Sequence, residues 1–251
     1  MQSIERFSSR VENYARYRPD YPSAIIDLLK NECGLTSESI IADIGSGTGK
    51  LSELLLANGN RVIGVEPNDA MRAVAEALFS GSSNFQSING TAESTTLDNQ
   101  SVDFVIAGQA FHWFDSVKAK EEFKRILKPH GWVVVIWNER QTDTTPFLRA
   151  YEQLLLTYGT DYAEVRHENA EPIITQFFAP RIARCAQFPN GQEFDFESLQ
   201  GRLRSSSYTP EPSSPRFEPM LVELEAIFNR YQEAGLVRFE YDTRVFYERL
   251  D

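Results

Sequence analysis

The chain has 251 residues and a formal net charge of −11 at pH 7, from 25 Lys and Arg against 36 Asp and Glu. Its hydrophobic fraction of 41% provides a substantial core and excludes a disordered chain. Nonspecific nucleic-acid binding depends on clustered Lys and Arg, and no basic cluster interrupts the acidic balance, so we expect no nucleic-acid partner.

The cysteine and histidine content bears on metals and on the cellular compartment. The two cysteines, Cys33 and Cys185, stand far apart, and only three histidines accompany them. This pattern predicts no metal site and is typical of the reducing cytoplasm. No apolar stretch is long enough to span a bilayer, and residues 1–10 are polar, so we expect no membrane partner and no secretory leader.

The N-terminal segment from Tyr14 to Pro22 is rich in tyrosine, arginine and proline. Proline disfavours helical geometry in the residue before it, which predicts an extended or turn conformation here. The aromatic side chains either pack as an arm on the rest of the chain or close over a binding site. A short helix is predicted over 23–31, with Ser23 as its N-cap.

The chain is organised around residues 40–51, where an apolar run turns through three glycines in five residues and enters a helical pattern. This pattern predicts a buried strand, a tight turn and a helix. Glycine allows positive φ and, lacking a Cβ, lets a ligand lie against the backbone. The free N–H groups at the start of the helix would point towards that ligand.

Two common nucleotide-binding loops fit this turn poorly. A P-loop requires Gly and Ser or Thr where Ile44 and Leu51 stand. A dinucleotide fingerprint requires Gly-x-Gly-x-x-Gly, whereas the spacing here is Gly45-x-Gly47-x-Gly49. The P-loop is therefore excluded and the dinucleotide site is disfavoured.

Glu66 follows the next predicted strand, one strand-turn-helix-strand unit after the glycines. That position places a carboxylate at the carboxyl end of the adjacent strand. Its two oxygens can accept hydrogen bonds from a ribose diol there.

Strands and helices alternate up to residue 138, which predicts a parallel sheet with right-handed crossovers. In this part the predicted strands are 40–44, 61–65, 85–88, 101–107 and 132–137, and the predicted helices are 50–58, 69–79 and 116–127. After residue 138 the predicted helices are 146–158, 172–178 and 219–234, and the predicted strands are 181–188 and 236–247.

Several motifs together resemble the class I S-adenosylmethionine (SAM)-dependent methyltransferases, in particular the methyltransferase type 11 domain family. They are the glycine turn preceded by Asp43, the acid Glu66, the pair Ala92-Glu93, the run 108–115 after the fourth strand, and a Leu-Lys-Pro-x-Gly turn at 127–131. The resemblance implies an α/β, Rossmann-like, mostly parallel sheet of seven strands in the order 3-2-1-4-5-7-6. It also implies an antiparallel last strand, helices on both faces and a helical cap.

The resemblance further implies SAM as the cofactor and assigns its contacts. The implied cofactor-binding residues are Tyr14, Arg18, Asp43, Gly45, Ser46, Gly47, Gly49, Glu66, Pro67, Asn68, Met71, Thr91, Ala92, Glu93 and Gln109. Relatives often carry an acid where this chain has Thr91, so the adenine contacts are expected mainly from Ala92 and Glu93.

The stretches 203–208 and 239–243, with the run 110–115, are similar to the subgroup that includes trans-aconitate methyltransferase. This similarity implies a small-molecule acceptor methylated on oxygen or nitrogen, with a carboxylic acid among the candidates. The implied substrate-binding residues are Tyr21, His112, Trp113, Arg204 and Tyr208.

His112 is the candidate catalytic residue, because a hydroxyl or amine nucleophile needs a base and a histidine of near-neutral pKa can serve as one. The alternative is that His112 and Trp113 only pack against the cofactor. Two other functions stay open at this stage: a non-catalytic SAM-binding protein and a nicotinamide-dependent oxidoreductase.

No linker marks a second domain, so we expect a single methyltransferase domain over 1–251, acting as a monomer or homodimer. Its expected parts are a lid and helix at 1–30, a cofactor-binding core at 31–138, a cap with strand 6 at 139–235, and the last strand at 236–251.

Overall fold

The computed structural model describes residues 11–162 and 170–250. The strands are β1 (Ile40–Ile44), β2 (Arg61–Val65), β3 (Phe85–Ile88), β4 (Val102–Gly108), β5 (Leu127–Arg140), β6 (Arg184–Phe194) and β7 (Val237–Glu248). The helices are α1 (Val11–Tyr17), α2 (Ala24–Cys33), α3 (Lys50–Ala57), α4 (Asp69–Leu78), α5 (Ser116–Ile126), α6 (Pro146–Tyr158), α7 (Ala170–Phe178), α8 (Phe196–Arg204) and α9 (Phe217–Tyr231), with a 3-10 turn at Phe111–Trp113.

The seven strands form one sheet in the order β3-β2-β1-β4-β5-β7-β6. Neighbouring strands from β3 to β5 are parallel, whereas β7 runs antiparallel to both β5 and β6. The predicted Rossmann-like fold, strand order and antiparallel last strand are confirmed. The carboxyl ends of the parallel strands lie at one edge of the sheet, where ligands of such folds bind.

The central strands β1 and β4 are mostly apolar, as expected for strands that helices cover on both faces of the sheet. Along β1, Ala42 and Ile44 belong to one buried cluster and Ile41 belongs to another, since alternate side chains point to opposite faces. Phe123 of α5 belongs to the first cluster, and Leu55 of α3 belongs to the second.

A third apolar cluster joins α6, α8 and α9 to β6 and β7. The ring of Phe239 lies at its centre, with centroids 5.4 Å from Phe147 and 4.7 Å from Tyr151. Since Tyr241 pairs with Arg140 at the end of β5, this cluster lies at the carboxyl end of the sheet. The predicted helical cap is therefore placed beside the expected binding edge.

The N-terminal segment and the segment before residue 205 differ from the predictions. The expected arm contains the helix α1, whose Val11 and Tyr17 are buried. The helix α8 was not predicted, although Asp195 accepts a hydrogen bond from the Ser198 N–H at 2.8 Å as its N-cap. Gly201 within α8 weakens the helical signal in the sequence.

Two strands and one helix cap also differ from the predictions, the first being β5, which is longer at both ends than the predicted strand 132–137. The predicted strand 181–188 is shifted and longer, because β6 pairs with β7 up to Phe194. Pro189 is tolerated within it since β6 is an edge strand. Ser23 occupies the N-cap position of α2 and makes no side-chain capping hydrogen bond, which corrects its predicted role.

The prediction of a polar N-terminus without a leader falls on residues 1–10, which lie outside the described residues, as do 163–169 of the predicted cap. In the described ranges, no helix combines the length and apolar character needed to cross a bilayer.

Candidate cofactor and substrate site

The glycine turn between β1 and α3 is fixed by backbone hydrogen bonds and by positive φ angles. The Gly45 N–H donates to the Val65 carbonyl of β2 at 2.8 Å. The φ angles are +70° at Gly45, +57° at Gly47 and +90° at Gly49, a region that side chains disfavour. A Cβ on Gly45 would lie 2.5 Å from Ala110, and one on Gly49 would lie 2.5 Å from the Phe79 ring. Gly45 and Gly49 therefore allow tight packing against neighbouring side chains. At Gly47 the backbone surface stays open to a ligand.

Glu66 connects this turn to the end of β2. Its Oε2 accepts from the Gly47 N–H and its Oε1 from the Asn68 N–H, both at 2.9 Å. Each carboxylate oxygen has further acceptor capacity for a ligand. Burial raises the pKa of Glu66, and the two backbone hydrogen bonds oppose that rise. The carboxylate is thus held at a fixed position beside the turn.

The residues after Glu66 form the next wall of the site. Asn68 caps α4, its Oδ1 accepting from the Met71 N–H at 3.0 Å. Met71 is buried, and its sulfur lies 3.8 Å from the position of a Cβ on Gly47. Capping therefore fixes Met71 next to the glycine turn.

A short turn after β3 contributes the opposite wall. Thr91 and Ser94 form an isolated antiparallel bridge around the buried Ala92 and the half-buried Glu93. The Glu93 Oε1 accepts from the Asp115 N–H at 2.8 Å. Glu93 therefore links this turn to the start of α5.

Asp43 is almost fully buried beneath the turn. Its Oδ2 accepts from the Ser52 hydroxyl at 2.6 Å, while its Oδ1 has no hydrogen-bond partner among the described residues. Burial raises the pKa of Asp43 to about 7. The Gln109 Oε1 is also buried without a partner, and the Gln109 Nε2 donates to the Asn138 carbonyl at 2.9 Å. The Asp43 Oδ1 and the Gln109 Oε1 are thus two buried acceptor atoms without a donor among the described residues.

These walls enclose a cavity of about 240 Å³, and a smaller one of about 40 Å³ adjoins it. The predicted site residues that line the larger cavity are Tyr14, Arg18, Gly45, Gly47, Glu66, Pro67, Asn68, Met71, Thr91, Ala92, Glu93, Gln109, His112, Trp113 and Tyr208. Those that line only the smaller one are Tyr21, Asp43 and Ser46.

Two predicted site residues line neither cavity. Gly49 faces the Phe79 ring, so its positive φ serves the packing of α3 on α4. The Arg204 side chain is exposed and lies over the Phe217 ring, 5.6 Å from its centroid. The structure therefore does not bring Arg204 to the expected acceptor site.

Sequence reasoning did not select Trp137, which lines the larger cavity. Trp137 belongs to the predicted fifth strand, whose carboxyl end could have indicated it. Ser207, which lies in the stretch 203–208 noted from the sequence as a possible contact to an acidic substrate, lines the larger cavity as well.

His112 lies between two indole rings, with centroids 4.4 Å from Trp113 and 5.2 Å from Trp137. His112 is exposed, and it lines the larger cavity. Desolvation by the surrounding protein atoms, and then the nearby Arg18, lower the pKa of His112 to about 4. His112 is therefore neutral at pH 7 and a weak proton acceptor. Its catalytic role stays a prediction.

A cluster of buried guanidinium groups lies where the cap meets the cavity. Arg18 Nη2 donates to the Ser205 carbonyl at 3.1 Å, and Arg202 Nη1 donates to the Ser206 hydroxyl at 2.9 Å. The Nε of each has no partner, and no carboxylate within 11–162 and 170–250 pairs with either. Arg140 behind them is paired with Glu152 at 2.5 Å. The cap side of the cavity is therefore strongly positive.

Comparisons with known proteins agree with this geometry. A family described as methyltransferase domain matches residues 42–135. An uncharacterised methyltransferase-like protein of Schizosaccharomyces pombe is 30% identical over 248 residues, which cover 97% of this chain and 94% of that protein. An uncharacterised methyltransferase of the same yeast is 35% identical over 229 residues, or 91% of this chain and 89% of that protein.

The fold is similar to that of solved structures as well. One from Anaeromyxobacter dehalogenans, provisionally assigned as a type II methyltransferase, gives a TM-score of 0.67 at 19% identity. The match covers 93% of this chain and 98% of that one. The chain belongs to the class I SAM-dependent methyltransferases. It is accordingly an enzyme, and its cofactor is SAM.

The residues of the site fit that cofactor. SAM carries hydroxyl donors on its ribose, a positively charged sulfonium and ammonium, and a negatively charged carboxylate. The site offers the Glu66 carboxylate, the unpartnered Asp43 Oδ1 and Gln109 Oε1, and an open glycine surface at Gly47. Buried acceptors without partners are costly, so a ligand that donates to them is favoured.

We expect SAM affinity to rise between pH 6 and 8. The pKa of Asp43 is about 7 in the ligand-free protein, and the ionised form attracts a cation more strongly. Below this pKa the affinity should rise by up to about tenfold per pH unit, and binding near pH 6.5 should release a proton. Isothermal titration calorimetry in buffers of different ionisation enthalpy measures both the SAM affinity and the number of protons released on binding.

Asp43→Asn provides the control for this experiment, since it removes the titrating group and keeps the shape. Its SAM affinity should be weaker and nearly flat over the same range. A wild-type affinity that does not vary with pH would contradict the assignment.

We expect Gly201→Val to displace α1 from the cap. A Cβ on Gly201 would lie 2.0 Å from the Tyr17 ring, so the helix cannot keep its place. Tyr14 and Arg18, which line the cavity, would then lose their positions. SAM affinity should fall about tenfold or more, the equivalent of one or two lost hydrogen bonds, while the sheet stays folded. Fluorescence titration measures the affinity, and circular dichroism checks the fold.

Gly81→Val is the matched control, because nothing lies within 4 Å of a Cβ at Gly81. If the two variants lost SAM affinity equally, this would argue against a specific packing position for α1.

Proposed function

We propose that the enzyme transfers the methyl group of SAM to an oxygen or nitrogen of a small molecule, with a small carboxylic acid as the favoured acceptor. The observation that carries this proposal is the Arg18 guanidinium in the cavity wall, where the side chain is half-buried and its Nε is fully buried. Neither Arg18 nor the nearby buried Arg202 has a carboxylate partner among the described residues, and a buried charge without a counterion is costly. The carboxylate of SAM offsets one of these two charges, and an anionic acceptor would offset the other.

The remaining walls suit a small organic acceptor. Trp113, Trp137 and Tyr208 line the same cavity as Arg18 and offer apolar surface that excludes water. Bound SAM supplies a methyl group that its sulfonium already activates. The task of the protein is then to hold the nucleophile close and in line, which can contribute roughly 7–11 kcal/mol in favourable cases.

A screen of small carboxylic acids, followed by S-adenosylhomocysteine release, tests this proposal. Arg18→Met should raise the KM for an accepted acid about tenfold or more, since hydrogen bonds to charged groups contribute roughly 1.5–3 kcal/mol each. Arg18→Lys should recover part of this loss. Arg204→Met is the matched control, because that arginine is exposed and lies away from the cavity.

Two outcomes would contradict the proposal. One is SAM binding without S-adenosylhomocysteine release from any acid in the screen. The other is turnover of an acid with the same KM in the Arg18→Met and Arg204→Met variants. Of the two other functions considered from the sequence, no specific observation favours either.

The organisation of the chain and its surroundings are also proposals. The lid, core and cap are proposed to form one domain, supported by the single sheet that runs through core and cap. The cytoplasm is proposed as the compartment, supported by two free cysteines, of which Cys185 is exposed. Either a monomer or a homodimer is compatible with this proposal.

A further inference from the structure

The segment that joins α1 to α2, residues 18–23, has no regular secondary structure. Arg18 at its start lines both cavities, and Tyr21 lines the smaller one. Pro19 and Pro22 have no N–H group to donate, so the segment can form few backbone hydrogen bonds of its own. Side chains of other elements must therefore hold it beside the cavities.

Two asparagine side chains hold the backbone carbonyl of Asp20 in this segment. Asn138 near the end of β5 donates its Nδ2 to the carbonyl oxygen at 3.3 Å, and Asn190 of β6 donates its Nδ2 at 2.8 Å. The Asp20 carboxylate also pairs with Lys50 at 2.7 Å, but its side chain is 78% exposed, so solvent screens this pair. The two amides are therefore the stronger anchors of Asp20.

Neighbouring groups orient both amides so that each offers a donor to Asp20. The Asn138 Oδ1 accepts from the Thr243 hydroxyl and from the Asn190 Nδ2. The Asn190 Oδ1 accepts from the Gly191 N–H at 2.8 Å. Since both oxygens are occupied, the nitrogens face the Asp20 carbonyl. Asn138 and Thr243 are almost fully buried, so the sheet fixes this arrangement.

The same network reaches the ligand cavity from two directions. Asp20 lies two residues after Arg18 in the chain. The Asn138 carbonyl accepts from the Gln109 Nε2 at 2.9 Å, and Arg18 and Gln109 both line the larger cavity. Asn190 itself lines neither cavity. It can therefore act on a ligand only through the segment that it holds.

We propose that Asn190 is a positioning residue for SAM binding. By holding the Asp20 carbonyl, it keeps the predicted SAM contacts Tyr14 and Arg18 in the wall of the larger cavity. A fixed segment favours SAM, and bound SAM must then stabilise the segment by the same factor. This inference depends on the cofactor alone, so the result of the acceptor screen does not affect it.

The substitution Asn190→Asp tests the proposal, because it keeps the size of the side chain and removes its donor. Two oxygens would then face each other at Asp20, so SAM affinity should fall about tenfold or more. Isothermal titration calorimetry measures this affinity. Gln187→Glu is the matched control, since it adds the same charge to the same strand at an exposed side chain that lines neither cavity. Its SAM affinity should equal that of the wild type.

Hydrogen exchange followed by mass spectrometry separates positioning from a general effect on stability. In the absence of ligand, peptides covering residues 11–24 should exchange faster in Asn190→Asp than in the wild type. Peptides of β1 and β4 should exchange at the wild-type rate. Saturating SAM should restore the protection of residues 11–24 in the variant, because order of the segment and SAM affinity are linked.

Three results would overturn the proposal. The first is equal SAM affinity in Asn190→Asp and Gln187→Glu. The second is a loss of affinity together with faster exchange in β1 and β4, since this indicates a general loss of stability. The third is exchange of residues 11–24 that saturating SAM leaves unchanged in the variant. If Asn190→Asp does not fold, the same measurements apply to Asn190→Ala, which only removes the donor and should lower SAM affinity about three- to tenfold.

Discussion

Replacing Glu66 with alanine is expected to weaken SAM binding by at least about 100-fold. The carboxylate accepts from the Gly47 and Asn68 N–H groups at 2.9 Å, so its loss frees the glycine turn from the loop that follows β2. It also removes the acceptor expected to bind the ribose. Hydrogen bonds to a charged group contribute roughly 1.5–3 kcal/mol each, and a 100-fold change requires about 2.7 kcal/mol.

A graded series makes this prediction sharper. Glu66→Gln keeps one acceptor oxygen and presents a donor to the other backbone N–H, so it should fall between the wild type and Glu66→Ala. Glu193→Gln is the control, because Glu193 is exposed and does not line the cavity. Isothermal titration calorimetry measures all four proteins. A Kd for Glu66→Ala within a few-fold of the wild type would rule out the role of this carboxylate.

The parts of the fold that were predicted correctly depend on local patterns. Buried parallel strands are continuous apolar runs, and helices between them repeat at 3.6 residues, so β1, β2 and β3 agree with their predicted limits residue by residue. The position of Glu66 also follows from the order of these elements, because carboxyl ends of parallel strands share one edge.

The sequence was less informative where neighbours far along the chain decide the structure. Gly45, Gly47 and Gly49 look equivalent in the sequence, and only the rings and side chains packed against them show that Gly49 serves Phe79. The spacing alone could not separate a glycine that approaches a ligand from one that approaches another helix.

The arginines of α8 show the same limit at the acceptor end. Arg202 is 3% exposed and belongs to the positive cluster, whereas Arg204 points to solvent. To choose between these two arginines, one must know which face of α8 is buried, and α8 was not predicted. The choice also requires β7, since the Arg202 guanidinium lies 5.9 Å from the Phe239 ring centroid. Because of this long-range packing, the arginine in the positive cluster is Arg202 and not the predicted Arg204.

Glu152→Ala is expected to be the most destabilising of the substitutions considered, at about 3–5 kcal/mol. The side chains of Arg140 and Glu152 are only 4% and 7% exposed, and Tyr162 donates to the same carboxylate at 2.6 Å. Removing the carboxylate leaves a buried guanidinium without its counterion and a buried hydroxyl without its acceptor. Urea unfolding measures the change, with melting temperature falling by roughly 6–20 °C for a chain of this size.

The exposed pair Arg238–Glu193 provides the control, with side chains 58% and 57% exposed. Glu193→Ala should cost less than about 1 kcal/mol, because solvent screens such pairs. Similar losses for the two alanine variants would show that burial of Glu152 has no energetic consequence. A double variant, Arg140→Met with Glu152→Leu, should regain part of the stability, since apolar residues of similar volume replace buried ion pairs at little cost. The rest of the loss should remain, because the buried Tyr162 hydroxyl still lacks its acceptor.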